Sequence, residues 1–278
     1  MGGSSLYKAV AIDLDGTLLN SDHYVEQESL DALDRLRHAG IEVIIITGRT
    51  MYEAAYAVRP FLDISRDTIV FQAGSQIVRY KENRMTTDLM LISSGDKEKL
   101  VSIGRKYGFP PLVCVNNEMC TEKQENPIYP AYEEMMGRKV VYVGDLMDYA
   151  LSNPVGKISL VCENSVLLRM EEDMKQMNIE SSWGFSYKDG VDVCARNKKN
   201  ALVDILHRMR IGREELVTVG DSNNDLEMIE FGGLGVAMEN ATQEMIDAAD
   251  YITLDNDHNG VAYLIDHVIL RDYKKGKE

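Results

Sequence analysis

Asp13-Leu14-Asp15-Gly16-Thr17 follows the run Tyr7 to Ile12, which reads as a buried strand ending at Asp13. Open α/β sheets bind ligands outside the carboxyl ends of their strands, so two carboxylates one residue apart at such an end can both face that crevice. One carboxylate can attack a phosphorus atom. The other can give a proton to the leaving oxygen and later take one from water. Gly16 permits the sharp turn this needs. A turn carrying two solvated acids has the same residues, and the motif alone leaves both readings open.

Gly220-Asp221-Ser222-Asn223-Asn224-Asp225 is a second acidic loop after a short apolar strand, Leu216 to Val219. Magnesium takes a near-octahedral shell of oxygens, and Asp13, Asp221 and the backbone carbonyl of Asp15 would supply much of one. Asp225 would either ligate or brace the shell. An Asp/Asn-rich turn capping the next helix is the plainer alternative. Thr47-Gly48-Arg49 stands between a strand and a helix start, where a hydroxyl and free N–H groups suit a phosphate and also suit an ordinary cap. Arg49 could meet a phosphate, meet a domain inserted later in the chain, or face water. Lys198, in Arg196-Asn197-Lys198-Lys199-Asn200, opens a helix at the end whose dipole disfavours cations, which hints at an anion nearby. Lys199 reads as a surface lysine.

The elements that would position these residues alternate. Ile41 to Ile46 is a second apolar β-branched run, and Asp67 to Phe71 a third. Leu30, Leu33 and Leu36 give helical spacing within Val25 to His38, which Gly40 closes, and a further helix is expected near Thr50 to Val58. The C-terminal part predicts a helix over Lys198 to Met209, then helices near Asn224 to Glu230 and Ala241 to Ala248. Strands near Leu234 to Ala237 and Tyr251-Ile252 alternate with them. This order implies an α/β fold: a Rossmann-like parallel-sheet core with an inserted α/β cap domain. The core is expected at 1–82 plus 191–278 and the cap at 83–190. In the cap, strands are expected at Leu112 to Val115, Lys139 to Val143 and Lys157 to Val161. Helices there are expected near Asp96 to Tyr107 and Asn164 to Met177.

Together and in this order, the four segments resemble the haloacid dehalogenase-like superfamily. Its D-x-D-x-T motif is matched by Asp13, Asp15 and Thr17, its Ser/Thr by Thr47, its Lys by Lys198, and its G-D-x-x-N-D loop by Gly220, Asp221, Asn224 and Asp225. An insertion between the second and third motifs resembles the Cof-type phosphatases, as do Gly235 to Ala241 and Asn259-Gly260-Val261-Ala262. The resemblance covers the two core segments well and the cap mainly by size and position. It implies Asp13 as nucleophile, Asp15 as general acid/base, and Mg2+ bound by Asp13, the Asp15 carbonyl and Asp221, with Asp225 ligating or bracing. Phosphate would be held by Thr47, Gly48, Lys198 and Asn224. Gln72-Ala73-Gly74 departs from the pattern, since such proteins often read Asn-Gly there.

The implied activity is a magnesium-dependent phosphatase acting on a small phosphorylated metabolite, a sugar phosphate or similar, through an aspartyl-phosphate. A phosphomutase or phosphotransferase would keep the same motifs, whereas a non-catalytic binder of a phosphorylated ligand would not require the nucleophile. A nicotinamide-dependent dehydrogenase should carry its glycine fingerprint after the first strand, where this chain has Asp-Leu-Asp-Gly-Thr. A net charge of −15 disfavours nucleic acid as a partner, and the clear basic cluster is the tail Lys274-Lys275-Gly276-Lys277. No apolar run approaches the roughly 20 residues that span a bilayer. Met1 to Ser5 reads as a flexible tail rather than a signal peptide. A cytoplasmic monomer is expected, with Cys114, Cys120, Cys162 and Cys194 as free thiols. Specificity would rest on cap residues, with Glu118, Trp183 and Tyr187 as candidates.

Overall fold

The computed structural model describes residues 6–57, 67–81, 84–122, 125–187 and 190–271. The expected flexible start and basic tail lie outside these residues, as do position 58 of the second helix and the side chain of Tyr187.

The strands are β1 (Ala9–Asp13), β2 (Glu42–Ile46), β3 (Thr68–Phe71), β4 (Gln76–Lys81), β5 (Arg84–Leu89), β6 (Leu112–Val115), β7 (Glu118–Thr121), β8 (Val141–Tyr142), β9 (Lys157–Val161), β10 (Ser182–Tyr187), β11 (Gly190–Cys194), β12 (Leu216–Gly220), β13 (Leu234–Ala237) and β14 (Tyr251–Ile252). The helices are α1 (Gln27–His38), α2 (Met51–Ala57), α3 (Ser94–Tyr107), α4 (Tyr129–Met136), α5 (Leu146–Ser152), α6 (Asn164–Gln176), α7 (Lys198–Met209), α8 (Leu226–Phe231), α9 (Gln243–Ala248) and α10 (Gly260–Leu264).

The larger sheet runs β14-β13-β12-β1-β2-β3-β4-β5. Its first six strands are parallel, and β4 and β5 add an antiparallel edge. Ala9 to Ile12 of β1 and Val43 to Ile46 of β2 are apolar because both faces of the sheet are covered there. Val10, Ile12, Val43 and Ile45 pack with Leu33, Leu36 and Leu264 of α1 and α10. Ala9, Ala11, Ile44 and Ile46 pack on the opposite side with Leu202, Ile205 and Met228 of α7 and α8. Each Ile or Leu so buried contributes about 1.5–3 kcal/mol before chain entropy is charged against it. The register aligns the site: Asp13 lies opposite Ile46, and Ile12 opposite Val219. The chain ends of β1, β2 and β12 therefore emerge side by side at one edge.

The smaller sheet runs β10-β11-β9-β6-β7-β8. Its Ile158, Leu160, Val191 and Val193 pack under α3, α5 and α6. On the other face, Leu112, Cys114 and Val161 pack against Tyr129 and Tyr132 of α4.

Strand pairing places the crossings between sheets elsewhere than at 82/83 and 190/191. The strand β5 pairs with β4 in the larger sheet, and β11 pairs with β9 and β10 in the smaller. The reason is local. The strand β5 is an exposed polar edge without buried periodicity, while Val191 and Val193 alternate into the apolar layer of the smaller unit. The crossings lie at 90–93 and 195–197. Both are tied to the turn after β3: Met90 N–H donates to the Ser75 carbonyl (2.7 Å), and Ala195 N–H to Ser75 Oγ (3.0 Å).

Candidate active site

Asp13 ends β1 and is 4% exposed. Lys198, the first residue of α7 and 1% exposed, donates to Asp13 Oδ1 at 2.5 Å and to Asp225 Oδ1 at 2.6 Å. Its weaker contact is to Asn224 Oδ1, at 3.3 Å. The cation at the helix start is thus offset by two carboxylates, while the cap of that helix is Asn197, which accepts from the Asn200 N–H. Burial opposes the charge on Lys198, but Asp13 and Asp225 more than compensate and raise its pKa.

Carboxylate oxygens of Asp13, Asp221 and Asp225 all lie within 4.8 Å of one another. Burial, then repulsion from Asp225, holds Asp13 well above the usual carboxylate range, against the pull of Lys198. Asp221 is pushed up to about 6 for the same two reasons. Three acids crowd around one ammonium, and this oxygen-only donor set fits a hard divalent cation such as Mg2+. Asp225 is the most enclosed: Oδ1 meets Lys198, and Oδ2 accepts from the N–H groups of Asp221 and Ser222, both at 3.3 Å.

Gly16 lies between these groups at φ +70°, and a Cβ there would sit 2.5 Å from Asp221 Oδ2. The next residue, Thr17, donates its hydroxyl to Asp221 Oδ1 at 2.9 Å. Asn240 donates to the Gly16 carbonyl at 2.8 Å, tying the first acidic loop to the C-terminal segment.

Asp15 is half-exposed and gripped by Arg49: Nη2 reaches Oδ1 at 2.6 Å, and Nε lies 2.9 and 3.1 Å from the two oxygens. The role of Arg49 was open in the sequence, since a basic residue at a helix start names no partner. Thr47 is buried, and its Oγ1 accepts the Arg49 N–H at 3.1 Å. The Gly48 carbonyl accepts from Lys157 of β9 at 2.9 Å. Beyond β3, Gln72 and Ala73 both take left-handed backbone, at φ 52° and 49°. Their N–H groups donate to the carbonyls of Arg49 (2.8 Å) and Thr47 (2.9 Å), so the divergent Gln-Ala-Gly turn buttresses the Thr47 loop.

Asp13, Asp15, Thr47, Gly48, Lys198, Asp221, Asn224 and Asp225 thus gather at the ends of β1, β2 and β12 and the start of α7. Lys199 stays on the surface, 3.8 Å from Glu227. Among the cap candidates, Glu118 pairs with Arg138 at 2.6 Å, and Trp183 packs into the apolar layer of the smaller sheet. The four cysteines are buried and none is in a disulfide.

The family model for haloacid dehalogenase-like hydrolases matches residues 10–265, and the chain belongs to that family. The putative phosphatase YxeH of Bacillus subtilis is 26% identical over 275 residues, covering 95% of this chain and 99% of that protein. The 5-amino-6-(5-phospho-D-ribitylamino)uracil phosphatase YwtE of the same organism is 27% identical over 294 residues, covering 96% and 99%. Among solved structures, a haloacid dehalogenase-like hydrolase from B. subtilis superposes with a TM-score of 0.82 at 25% identity, covering 94% of this chain and 99% of that one. The relatives are phosphatases, in keeping with a phosphoric monoester hydrolase. Among the described residues, no helix is long and apolar enough to cross a membrane.

Proposed function

We propose that this chain is a magnesium-dependent phosphatase that hydrolyses a small phosphorylated metabolite through an aspartyl-phosphate on Asp13. The observation that carries the reading is the buried Lys198 bridging Asp13 and Asp225, with the Asp221 carboxylate beside them.

One oxygen of Asp13 is engaged by Lys198, and the other attacks the phosphorus as the ester P–O bond breaks. Asp15, entering the step as the carboxylic acid, gives its proton to the leaving oxygen and becomes the carboxylate that Arg49 pairs with. It then takes a proton from water, whose oxygen attacks the phosphorus and breaks the Asp13 acyl–phosphate bond, releasing phosphate. Arg49 holds Asp15 in reach for both transfers. Phosphoryl transfer asks mostly for positioning and charge neutralisation, which Lys198 supplies from a buried site. Thr47, Gly48 and Asn224 complete the phosphate cradle. Asp13, Asp221 and the Asp15 carbonyl would hold Mg2+, with Asp225 bracing, since both its oxygens already have partners. When bound, the ion neutralises charge on the transferring group. The substrate in the name of YwtE, 5-amino-6-(5-phospho-D-ribitylamino)uracil, carries its phosphate on a ribityl group, which supports a sugar phosphate or similar as the substrate class.

The test is phosphate release from a panel of phosphorylated metabolites with Mg2+, run beside Asp13→Asn. Release by wild type alone supports the mechanism. Release by both removes Asp13 as nucleophile, and isomer formation without free phosphate replaces hydrolysis by a mutase reaction. Chelator should abolish release and added Mg2+ restore it; activity that survives chelation refutes the metal assignment.

A further inference from the structure

One buried cation has no part in the chemistry above. Lys157 opens β9 with its side chain 3% exposed. Its Nζ lies 2.7 Å from Asp192 Oδ2 on the neighbouring β11 and 2.9 Å from the Gly48 carbonyl oxygen. Ser159, two residues along β9 and so on the same face, donates to Asp192 Oδ1 at 2.5 Å. Ser159 and Asp192 stay within the smaller sheet, and Lys157 reaches across to the larger.

A lysine removed from water keeps its charge only beside a counter-charge, and Asp192 provides it. Burial opposes the ammonium, yet Asp192 leaves its pKa raised. The ammonium is therefore a fixed, charged donor aimed at one peptide group. A trans peptide is planar, so fixing the Gly48 carbonyl fixes the Arg49 N–H on the opposite side. That N–H donates to Thr47 Oγ1, and the Arg49 side chain carries the grip on Asp15.

We infer that Lys157 is a positioning residue for the reaction, a contact from the cap that sets the Thr47-Gly48-Arg49 loop and through it the aim of Asp15. This rests on the phosphatase reading of Asp13 and Asp15. A second contact spans the same joint, from Tyr132 OH of α4 to Glu53 Oε1 of α2 (3.2 Å), whose Oε2 accepts the Thr50 N–H (2.6 Å). It braces the helix that follows the loop and leaves the Gly48 peptide to Lys157.

Lys157→Met alone strands Asp192 without its counter-charge and can fail to fold, so the decisive variant is Lys157→Met/Asp192→Asn, which removes both charges. Lys157→Arg keeps a donor. The measurements are thermal melting, steady-state phosphate release, and amide hydrogen exchange over 47–50. The double variant should melt close to wild type while kcat falls about tenfold or more and KM stays within about threefold, because a misaimed acid slows the chemical step. Exchange should rise over 47–50 and not along β9 or β11, and Lys157→Arg should recover part of both losses. A double variant with kcat within about twofold of wild type, or exchange that rises equally along β9 and β11, overturns the inference. If wild type releases no phosphate from any compound, exchange decides separately. A rise confined to 47–50 keeps the loop contact and removes the phosphatase reading, whereas unchanged exchange removes the contact's role.

Discussion

Gly16→Ala separates the geometry of the acidic site from its charge, since no carboxylate or ammonium is altered. Gly16 has φ +70°, a conformation that costs an L-residue about 1–2 kcal/mol. In a chain of this size that lowers the melting temperature by a few degrees, at about 2–4 °C per kcal/mol. The larger effect is steric. The new Cβ would sit 2.5 Å from Asp221 Oδ2, whereas ordinary contact begins at 3.4 Å, so the carboxylate must retreat by about 0.9 Å. Such a retreat strains the 2.9 Å bond from Thr17 and displaces a proposed ligand by nearly half of a Mg–O bond, about 2.1 Å in ideal octahedral geometry. We expect Mg2+ affinity, measured by titration calorimetry, to fall by more than about tenfold, with melting only modestly reduced. Stabilisation of the fold by added Mg2+ should shrink in parallel. A variant that binds Mg2+ and turns over as wild type does would refute the placement of Asp221 in the metal shell.

Asp13→Asn should abolish turnover and leave melting in metal-free buffer equal to or higher than wild type, because burial and the neighbouring Asp225 disfavour an ionised Asp13. Marked unfolding would show that its pairing with Lys198 outweighs that repulsion. Lys198→Met should cost about 3–5 kcal/mol in denaturant unfolding as well as turnover, because it leaves Asp13 and Asp225 facing each other without the ammonium. Normal stability with lost activity would confine its role to phosphate. Arg49→Lys keeps the charge but loses the two-point grip on Asp15. It should lower kcat by about tenfold with little change in KM, and an unchanged kcat would show that Asp15 needs no such hold.

The parts of the fold legible in the sequence are those where one periodicity suffices. The runs around Val10, Ile44 and Val217 are apolar because both faces of their strands are covered, and that pattern needs no knowledge of partners. The β4–β5 edge was not legible, since Arg84, Thr86, Thr87 and Asp88 face water and alternate with nothing buried. The core was expected to resume at 191, but Val191 to Cys194 joins the smaller sheet, since which sheet receives it depends on pairing with β9, a long-range choice. The site followed the same division. Asp13, Asp221 and Lys198 were readable because each stands at the end or start of a legible element. Arg49 and Lys157 were not, because their meaning lies in Asp15, Asp192 and Gly48, which the chain brings near only on folding.

The tethering of both crossings to Ser75 bears on how this chain could have been assembled and how it could be rebuilt. The segment 90–194 leaves and returns beside a single residue, so its two ends are neighbours although its interior is long. A segment with adjoining ends can be exchanged for another of quite different length without disturbing strand order in the host sheet. Residues 90–194 are in that sense a graft at one short turn. Ancestral gene fusion or a present-day swap could install a different roof over the same acidic pocket, received at position 75 by a carbonyl and a hydroxyl and obliged to bring its own donor to the Gly48 carbonyl in place of Lys157.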